Sequence, residues 1–336
     1  MPLYDAEKMA QRGFFIWGDY LDNDVRNAAL RRQIKKKKGG RTKITAKYHT
    51  KYPDGTEREY IRLCNAYMTL ENRVLVRHIP DLKRILQDGV ELRTDSADDD
   101  AKRKTARVPY LGKTVNRIQD LFDKIKTELA LLLSGYGLPE KLDRIADMGH
   151  KMSVKEWKKQ IHKTLGINIM EDYYLGELYK SLLQEWVSEN VELIQTIPSD
   201  SLNRMKEIVY VNYIEGKTTT DIVKRIQKQY AMDKNHARMI AKDQTAKLNA
   251  AITKKQQQDA GINCYEWSDS GDSRVRACHL ELNGHIFHWD NPPEMWYMTK
   301  IKGKVMTGRH CHPGEDYQCR CCALPVFDID QLELPV

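Results

Sequence analysis

Nothing in this chain approaches the roughly 18 consecutive apolar residues that a membrane-spanning helix needs, so no membrane role is expected. The opening residues, Met1 to Ala10, lack the apolar core of a secretory leader, and no export is expected. No P-loop, G-x-G-x-x-G turn or nucleophile elbow occurs, which removes the commonest phosphate-binding and serine-hydrolase signatures. Cysteine is nearly absent from the first three-quarters of the chain, where Cys64 stands alone; the other six of seven fall between Cys264 and Cys322. Without a leader, that distribution argues against a secreted disulfide scaffold and for metal binding in a reducing compartment.

What is present is charge and helical periodicity. Hydrophobic residues make up 41% and charged residues 30% of 336 positions, with a net charge of +8; this is a folded, globular composition with room for two or three domains. The positive charge is concentrated in R-R-Q-I-K-K-K-K-G-G-R-T-K, which holds Arg31, Arg32, Lys35, Lys36, Lys37, Lys38, Arg41 and Lys43. Such a run repels itself and reads as a mobile, solvated loop. It can also contact nucleic-acid phosphates without reading bases, and no aromatic residues are interleaved to stack on single strands.

Before that run, Phe14, Trp17, Leu21, Val25 and Ala28 recur at helical spacing, and Phe14 to Trp17 form an apolar patch read as core. After it, Pro53-Asp54-Gly55 suggests a hairpin turn, Glu59 to Tyr67 is a helix or a strand, and Leu82 to Gln87 is helical. Asp95 to Lys104, acidic then basic and without apolar residues, reads as an exposed linker. From Val115 the stripe Ile118, Leu121, Phe122, Ile125, Leu129, Leu132 defines a helix stopped at Gly135-Tyr136-Gly137. A helix then starts at Pro139, another at a capping box Ser153 to Glu156, another runs from Tyr173 to Asn190, and Pro198 breaks the chain before a helix through Leu202 to Val209. Thr218 to Asp221 caps a further helix, and Asp233 to Asp259 reads as the longest one, closed by Gly261. Short β-type runs follow at Tyr265 to Trp267, Gly284 to Phe287, Val305 and Ala323 to Phe327.

The expected fold is therefore α+β and mainly α: helical N-terminal and middle regions, then a small C-terminal domain with a long helix and a short antiparallel sheet. The expected divisions are 1–110, a basic region of mixed structure; 111–232, a helical bundle or arm; and 233–336, the domain with the Cys/His cluster.

That last domain carries the candidate chemistry. Cys278, His279, His310, Cys311, His312, Cys319, Cys321 and Cys322 are enough thiol and imidazole for a tetrahedral zinc site. The alternative is a small domain with buried thiols and hydrogen-bonded histidines. Asp272, Arg274 and Arg276 alternate, and Asp272 with one arginine reads as a bidentate pair fixing a loop. His279-Leu280-Glu281 with Cys319 to Cys322 also matches the H-x-E and C-x-x-C of zinc deaminases, in which the glutamate shuttles protons. Against that, the proline before the first cysteine is missing and Pro325 follows at once. A histidine-metal nuclease built on His310 and His312 would lack an identifiable base.

The order R-M-I-A-K-D-Q-T-A-K-L-N-A (Arg238 to Ala250), A-G-I-N-C-Y-E-W (Ala260 to Trp267), Asp272-x-Arg274-x-Arg276-x-x-His279-x-x-Leu282-x-Gly284-x-x-Phe287 and finally Cys319-Arg320-Cys321 resembles the Mu F-like domain of tailed-phage minor head, or head morphogenesis, proteins. The likeness is close over about the last third of the chain. It departs from the family pattern in a longer segment between His312 and Cys319 and in the additional Cys278, Cys311 and Cys322. The resemblance implies a structural zinc held by His279, Cys319 and Cys321 with His312, the alternates being Cys278, His310, Cys311 and Cys322. It gives Gln244, Thr245 and Asn249 a structural role, bonding the loops that follow. It implies a virion protein of the head interior or portal vertex, assembled in the bacterial cytoplasm, whose partners are the portal, capsid or scaffolding proteins and, through the basic run, DNA non-specifically. Its action would be binding, with a zinc-dependent deaminase- or nuclease-like enzyme as the alternative.

Overall fold

The computed structural model describes residues 23–94 and 103–335. The apolar patch at Phe14 to Trp17 and most of the expected linker at Asp95 to Lys104 lie outside the described residues. The element order is α1 (Asn23–Lys37), β1 (Lys43–Thr45), α2 (Asp54–Thr94), α3 (Arg103–Ser134), α4 (Leu138–Leu165), α5 (Glu171–Tyr174), α6 (Glu177–Ile214), α7 (Thr219–Asp259), β2 (Cys264–Ser268), α8 (Ala277–Leu282), β3 (Ile286–His288), β4 (Glu294–Thr299), β5 (Gly303–His310) and β6 (Cys322–Asp328). The fold is mainly α with small antiparallel sheets, as the periodicity implied. No helix among the described residues is long and apolar enough to cross a membrane.

Several helix boundaries differ from the sequence reading, mostly toward longer helices, although the helix expected from Tyr173 is interrupted between Tyr174 and Glu177. Pro53-Asp54-Gly55 does not turn a hairpin; it opens α2, with the Glu57 N–H bonded to the Pro53 carbonyl (3.1 Å). Ser153 is no cap but lies in mid-α4, buried, its hydroxyl on Gln256 Oε1 (3.3 Å). Pro198 sits inside α6 without ending it. A proline forfeits one backbone hydrogen bond, and the flanking residues Ile194, Ile197, Leu202 and Met205 are all buried, so packing on both sides outweighs that loss. The helix expected from Asp233 begins earlier, at Thr219, and equals α2 in length at 41 residues.

The basic run is also not a mobile loop. It forms the last turns of α1 and enters β1, because Leu30 and Ile34 on the same helix are buried at 1% and 0% exposure. Arg31 Nε donates to the Leu332 carbonyl (2.9 Å), Lys35 pairs with Asp330, and Lys37 Nζ reaches the Gly166 carbonyl (3.0 Å). Cations at a helix C-terminus also meet the negative end of its dipole. Lys36, Arg41 and Lys43 remain exposed.

The chain divides into two compact units of interleaved stretches, Met1–Glu57 with Ile145–Trp186 and Asp243–Val336, and Arg58–Arg144 with Val187–Lys242; the division expected from the sequence followed chain order instead. The second unit is helical. Its core joins Val74, Leu75 and Leu86 of α2, Ile118, Phe122 and Ile125 of α3, Met205 and Val209 of α6, and Ile222 and Ile226 of α7. The first unit holds a four-stranded sheet in the order β1-β6-β2-β3, all neighbours antiparallel, and the two-stranded pair β4-β5. Registers such as Thr45↔Val326, Trp267↔Ala323 and Glu266↔Ile286 place β6 between β1 and β2. Pro325, which has no N–H to give, serves this interior strand through its carbonyl, which accepts from Ala46 N–H (3.0 Å). Trp157 of α4 stacks on Phe327 of β6, centroids 6.3 Å apart. Gly261, which ends α7, has φ +69°, and a Cβ there would fall 2.5 Å from the Gln331 carbonyl oxygen. Both the left-handed turn and the close approach require glycine.

One carboxyl in the helical unit is out of place. Glu71 of α2 is fully buried, and neither carboxylate oxygen has a hydrogen-bond partner among the described residues. The nearby Ser201 hydroxyl is committed to Asp233 Oδ2 (2.8 Å), and Arg204 also binds Asp233 (2.7 Å). Burial, with the Asp233 charge adding, pushes the Glu71 carboxyl from 4.5 up to about 8. A carboxyl whose folded pKa is raised contributes most below its unfolded pKa, and that contribution is lost as pH climbs to the folded value. The expectation is that Glu71→Gln stabilises the protein by roughly 2–4 kcal/mol at pH 8 relative to its effect at pH 4.5. Denaturant unfolding of both forms across that range checks it; a constant difference would remove the assignment.

Candidate functional site

The densest polar cluster of the sheet unit is centred on Asp316, in the turn between β5 and β6. Burial alone would raise its carboxyl, yet His279 and Arg309 hold it well below the usual carboxylate range. Oδ2 takes His279 Nε2 at 3.2 Å and Arg276 at 3.1 Å, while Oδ1 takes Arg309 at 2.7 Å. The carboxylate is 5% exposed; a charge so buried is tolerated when it is paired and hydrogen-bonded in this way.

His279 comes from α8, a helix of six residues. With Nε2 on Asp316, the ring turns Nδ1 toward two sulfurs, Cys319 Sγ at 3.7 Å and Cys321 Sγ at 3.6 Å. These three atoms lie within 4.8 Å of one another, all from buried residues, and form the only cluster of its kind among the described residues. Cys319 Sγ also accepts the N–H groups of Gly314 (3.4 Å) and Cys321 (3.4 Å). The Cys321 thiol, then His279, lower the Cys319 thiol against the effect of burial, whereas Cys321 is pushed up by its hydrogen bond to Cys319 and by burial. Burial works against a charged His279, but Asp316 and Cys319 hold it up to about 9.

The backbone that presents the sulfurs is specialised. Gly314 has φ +88°, and a Cβ there would meet Ala250 Cβ of α7 at 2.9 Å. Gln318 is the non-glycine residue with positive φ (51°) among the described residues. Its N–H is held by Asp243 of α7 at 2.7 Å, which supports a conformation that costs energy. Arg320, between the two cysteines, makes a double hydrogen bond to Glu57 (2.9 and 3.1 Å) and lies over the Tyr52 ring, 4.9 Å from its centroid.

The remaining sequence candidates lie elsewhere. His312 is buried but bonds Tyr265 Oη through Nδ1 (2.9 Å) and packs on Trp289 (4.8 Å). His310 is exposed, with Nδ1 on the Pro292 carbonyl (2.9 Å). Cys278 Sγ accepts the Trp296 N–H (3.4 Å) and lies 4.0 Å from Met295 Sδ. Cys311 is buried in the apolar cluster around Trp267, and Cys322 approaches the Arg320 carbonyl (3.9 Å). Asp272 pairs with Arg274 through two hydrogen bonds (2.7 and 3.3 Å) and also accepts its N–H. Arg276 turns instead to Asp316 and to the Tyr317 carbonyl (2.6 Å). Glu281 is exposed and holds Lys304 (2.7 Å).

Sequence reasoning missed Asp316, Arg309, Asp243 and Gln257. Gln257 Nε2 donates to the Ala323 carbonyl (2.8 Å), and its Oε1 accepts from Trp289 Nε1 (3.2 Å). The signal available was an acid three residues before a Cys-x-Cys, and polar residues on the inner face of a long amphipathic helix. Of the helix positions that the resemblance singled out, Thr245 is buried, Asn249 lines a small crevice with Cys319, Cys321 and Arg320, and Gln244 contributes its carbonyl to Trp186 Nε1 (3.1 Å).

Comparison with known proteins places this site in a class. Residues 203–324 match the family described as Phage Mu protein F like protein, and that stretch contains the His279, Asp316, Cys319 and Cys321 constellation. Over this segment the chain is similar to Mu F-like phage proteins. A protein of Haemophilus influenzae described as uncharacterized is 35% identical over 139 residues, 41% of this chain and 28% of that protein. The chain thus spans less than a third of the length of the curated relative it matches. No solved structure matches.

The Arg320–Glu57 pair provides a stability test. Arg320→Ala leaves Glu57, 7% exposed, without its guanidinium and is expected to cost about 3 kcal/mol. The double variant Glu57→Gln/Arg320→Ala should lose at least about 1 kcal/mol less than the sum of the single changes. Additive losses in denaturant titrations would mean that the pair contributes nothing.

Proposed function

We propose that this chain is a minor head protein of a tailed bacteriophage, associated with the portal vertex and acting in head assembly by binding rather than catalysis. The observation that carries the reading is the Mu F-like match over residues 203–324, which coincides with a site whose polar groups are spent on one another. Asp316, His279, Arg276 and Arg309 form a closed set of ion pairs and hydrogen bonds, the arrangement of a braced docking module. A zinc deaminase would need a glutamate within reach of a metal-held water; Glu281 is exposed and engaged by Lys304, which supports the binding reading. Cross-linking mass spectrometry on purified virions of the phage that encodes the chain is expected to link it to the portal protein. Its absence from virions and procapsids would overturn the reading.

Non-specific DNA contact belongs to the same reading and is supported by the exposed cations Lys36, Arg41 and Lys43. For contacts to phosphate, log K falls linearly with log[salt] by about 0.9 per phosphate neutralised. Replacing these three residues with glutamine should lower the slope measured on a short duplex by up to about 3. Binding indifferent to salt, or a slope unchanged in the variant, would contradict DNA contact by this surface.

A further inference from the structure

We propose that His279 Nδ1, Cys319 Sγ and Cys321 Sγ bind one zinc ion, with Asp316 orienting the histidine and the fourth coordination position left to water. The inference stands on the geometry of these side chains and is independent of the phage assignment. Tetrahedral zinc with Zn–N near 2.0–2.1 Å and Zn–S near 2.3 Å sets a ligand nitrogen and sulfur about 3.6 Å apart. The two Nδ1–Sγ separations are 3.7 and 3.6 Å. An N–H···S hydrogen bond explains such a distance for one sulfur; a single ring nitrogen aimed equally at two sulfurs is explained by a common centre.

Three further observations agree. A metal-bound histidine almost always gives its other ring N–H to a carboxylate or carbonyl, which fixes the tautomer, and Nε2 is on Asp316 Oδ2. The Cys319 sulfur accepts two backbone N–H groups, from Gly314 and Cys321, which suits a thiolate ligand. Two thiolates and an imidazole are a soft to borderline donor set, preferred by zinc over magnesium or calcium. In the bound state both sulfurs are thiolates and His279 is the neutral tautomer with its proton on Nε2, so binding releases protons.

The ligand set differs from the four-residue one that the resemblance implied. His312 is held by Tyr265 and Trp289, and no fourth His, Cys, Asp or Glu of the described residues joins the 4.8 Å cluster. Cys319 and Cys321 both line the crevice shared with Asn249 and Arg320. The ion would join α8 to the Cys-x-Cys turn across the stretch that holds β3, β4 and β5.

The test is cobalt titration of the full chain under reducing, metal-free conditions, with elemental analysis of the chain as purified from zinc-supplemented cells. One metal per chain and the intense visible and near-ultraviolet bands of tetrahedral thiolate-bound cobalt, displaced by zinc, are expected. His279→Ala and Cys319→Ser should each lower zinc content at least tenfold, and Asp316→Asn should weaken affinity 10- to 100-fold. His312→Ala and Cys278→Ser should retain the full complement. A metal-free wild-type chain that gives no cobalt bands overturns the proposal without reference to how any variant folds, and so does loss of metal in His312→Ala with His279→Ala unaffected. Neither result would bear on cross-links to the portal.

Discussion

A carboxylate taken out of water must be compensated nearly completely, and Asp316 shows how much of this structure follows from that requirement. Its two oxygens are met by two guanidinium groups and an imidazole from three separate stretches, the loop before α8, α8 itself and β5. Each partner is thereby fixed in orientation. His279 can face Cys319 and Cys321 only because its other nitrogen is occupied. Arg276, whose second branch holds the Tyr317 carbonyl, fixes the turn that delivers the Cys-x-Cys. Removing any one partner would leave the buried carboxylate less fully compensated, which destabilises the fold.

Around that centre, α7 acts as a template as much as a wall. Asp243 stabilises the left-handed Gln318, Ala250 packs where only glycine fits opposite, and Gln257 bonds both β6 and Trp289. These residues sit at helical spacing along one face, with small side chains between the polar ones. A sheet of short strands gains rigidity from such a support that it would not have alone.

The helical character, the Gly-terminated helix ends and the short strands after Gly261 were legible because each depends on local signals: apolar spacing, left-handed caps and β-branched or aromatic alternation. Helix lengths were less legible, since Pro53, Ser153 and Pro198 carry strong local preferences that tertiary burial overrides. The basic run misled for a related reason. Its charges suggested solvation, while the fate of the helix was decided by Leu30 and Ile34 among them. The Cys/His segment was recognisable from composition, and His279, Cys319 and Cys321 from the order of motifs. The separation of His312 from them rests on Tyr265 and Trp289, contacts that no spacing encodes. Asp316 was invisible because a single acid in a loop has no periodicity.

The pairing of β1 with β6, and the grip of Arg320 on Glu57 across 263 residues of sequence, mean that the stretch resembling the phage family is not autonomous. A fragment trimmed to 203–324 would cut β6 after Leu324, losing Val326 to Asp328 that pair with β1, and would leave the Arg320 guanidinium with no acid to receive it. During synthesis β1 must likewise wait for β6 to emerge before its mate exists, a long-range pairing of the kind that folds slowly. What evolution transmits as a module and what physics completes as a body have different edges in this chain.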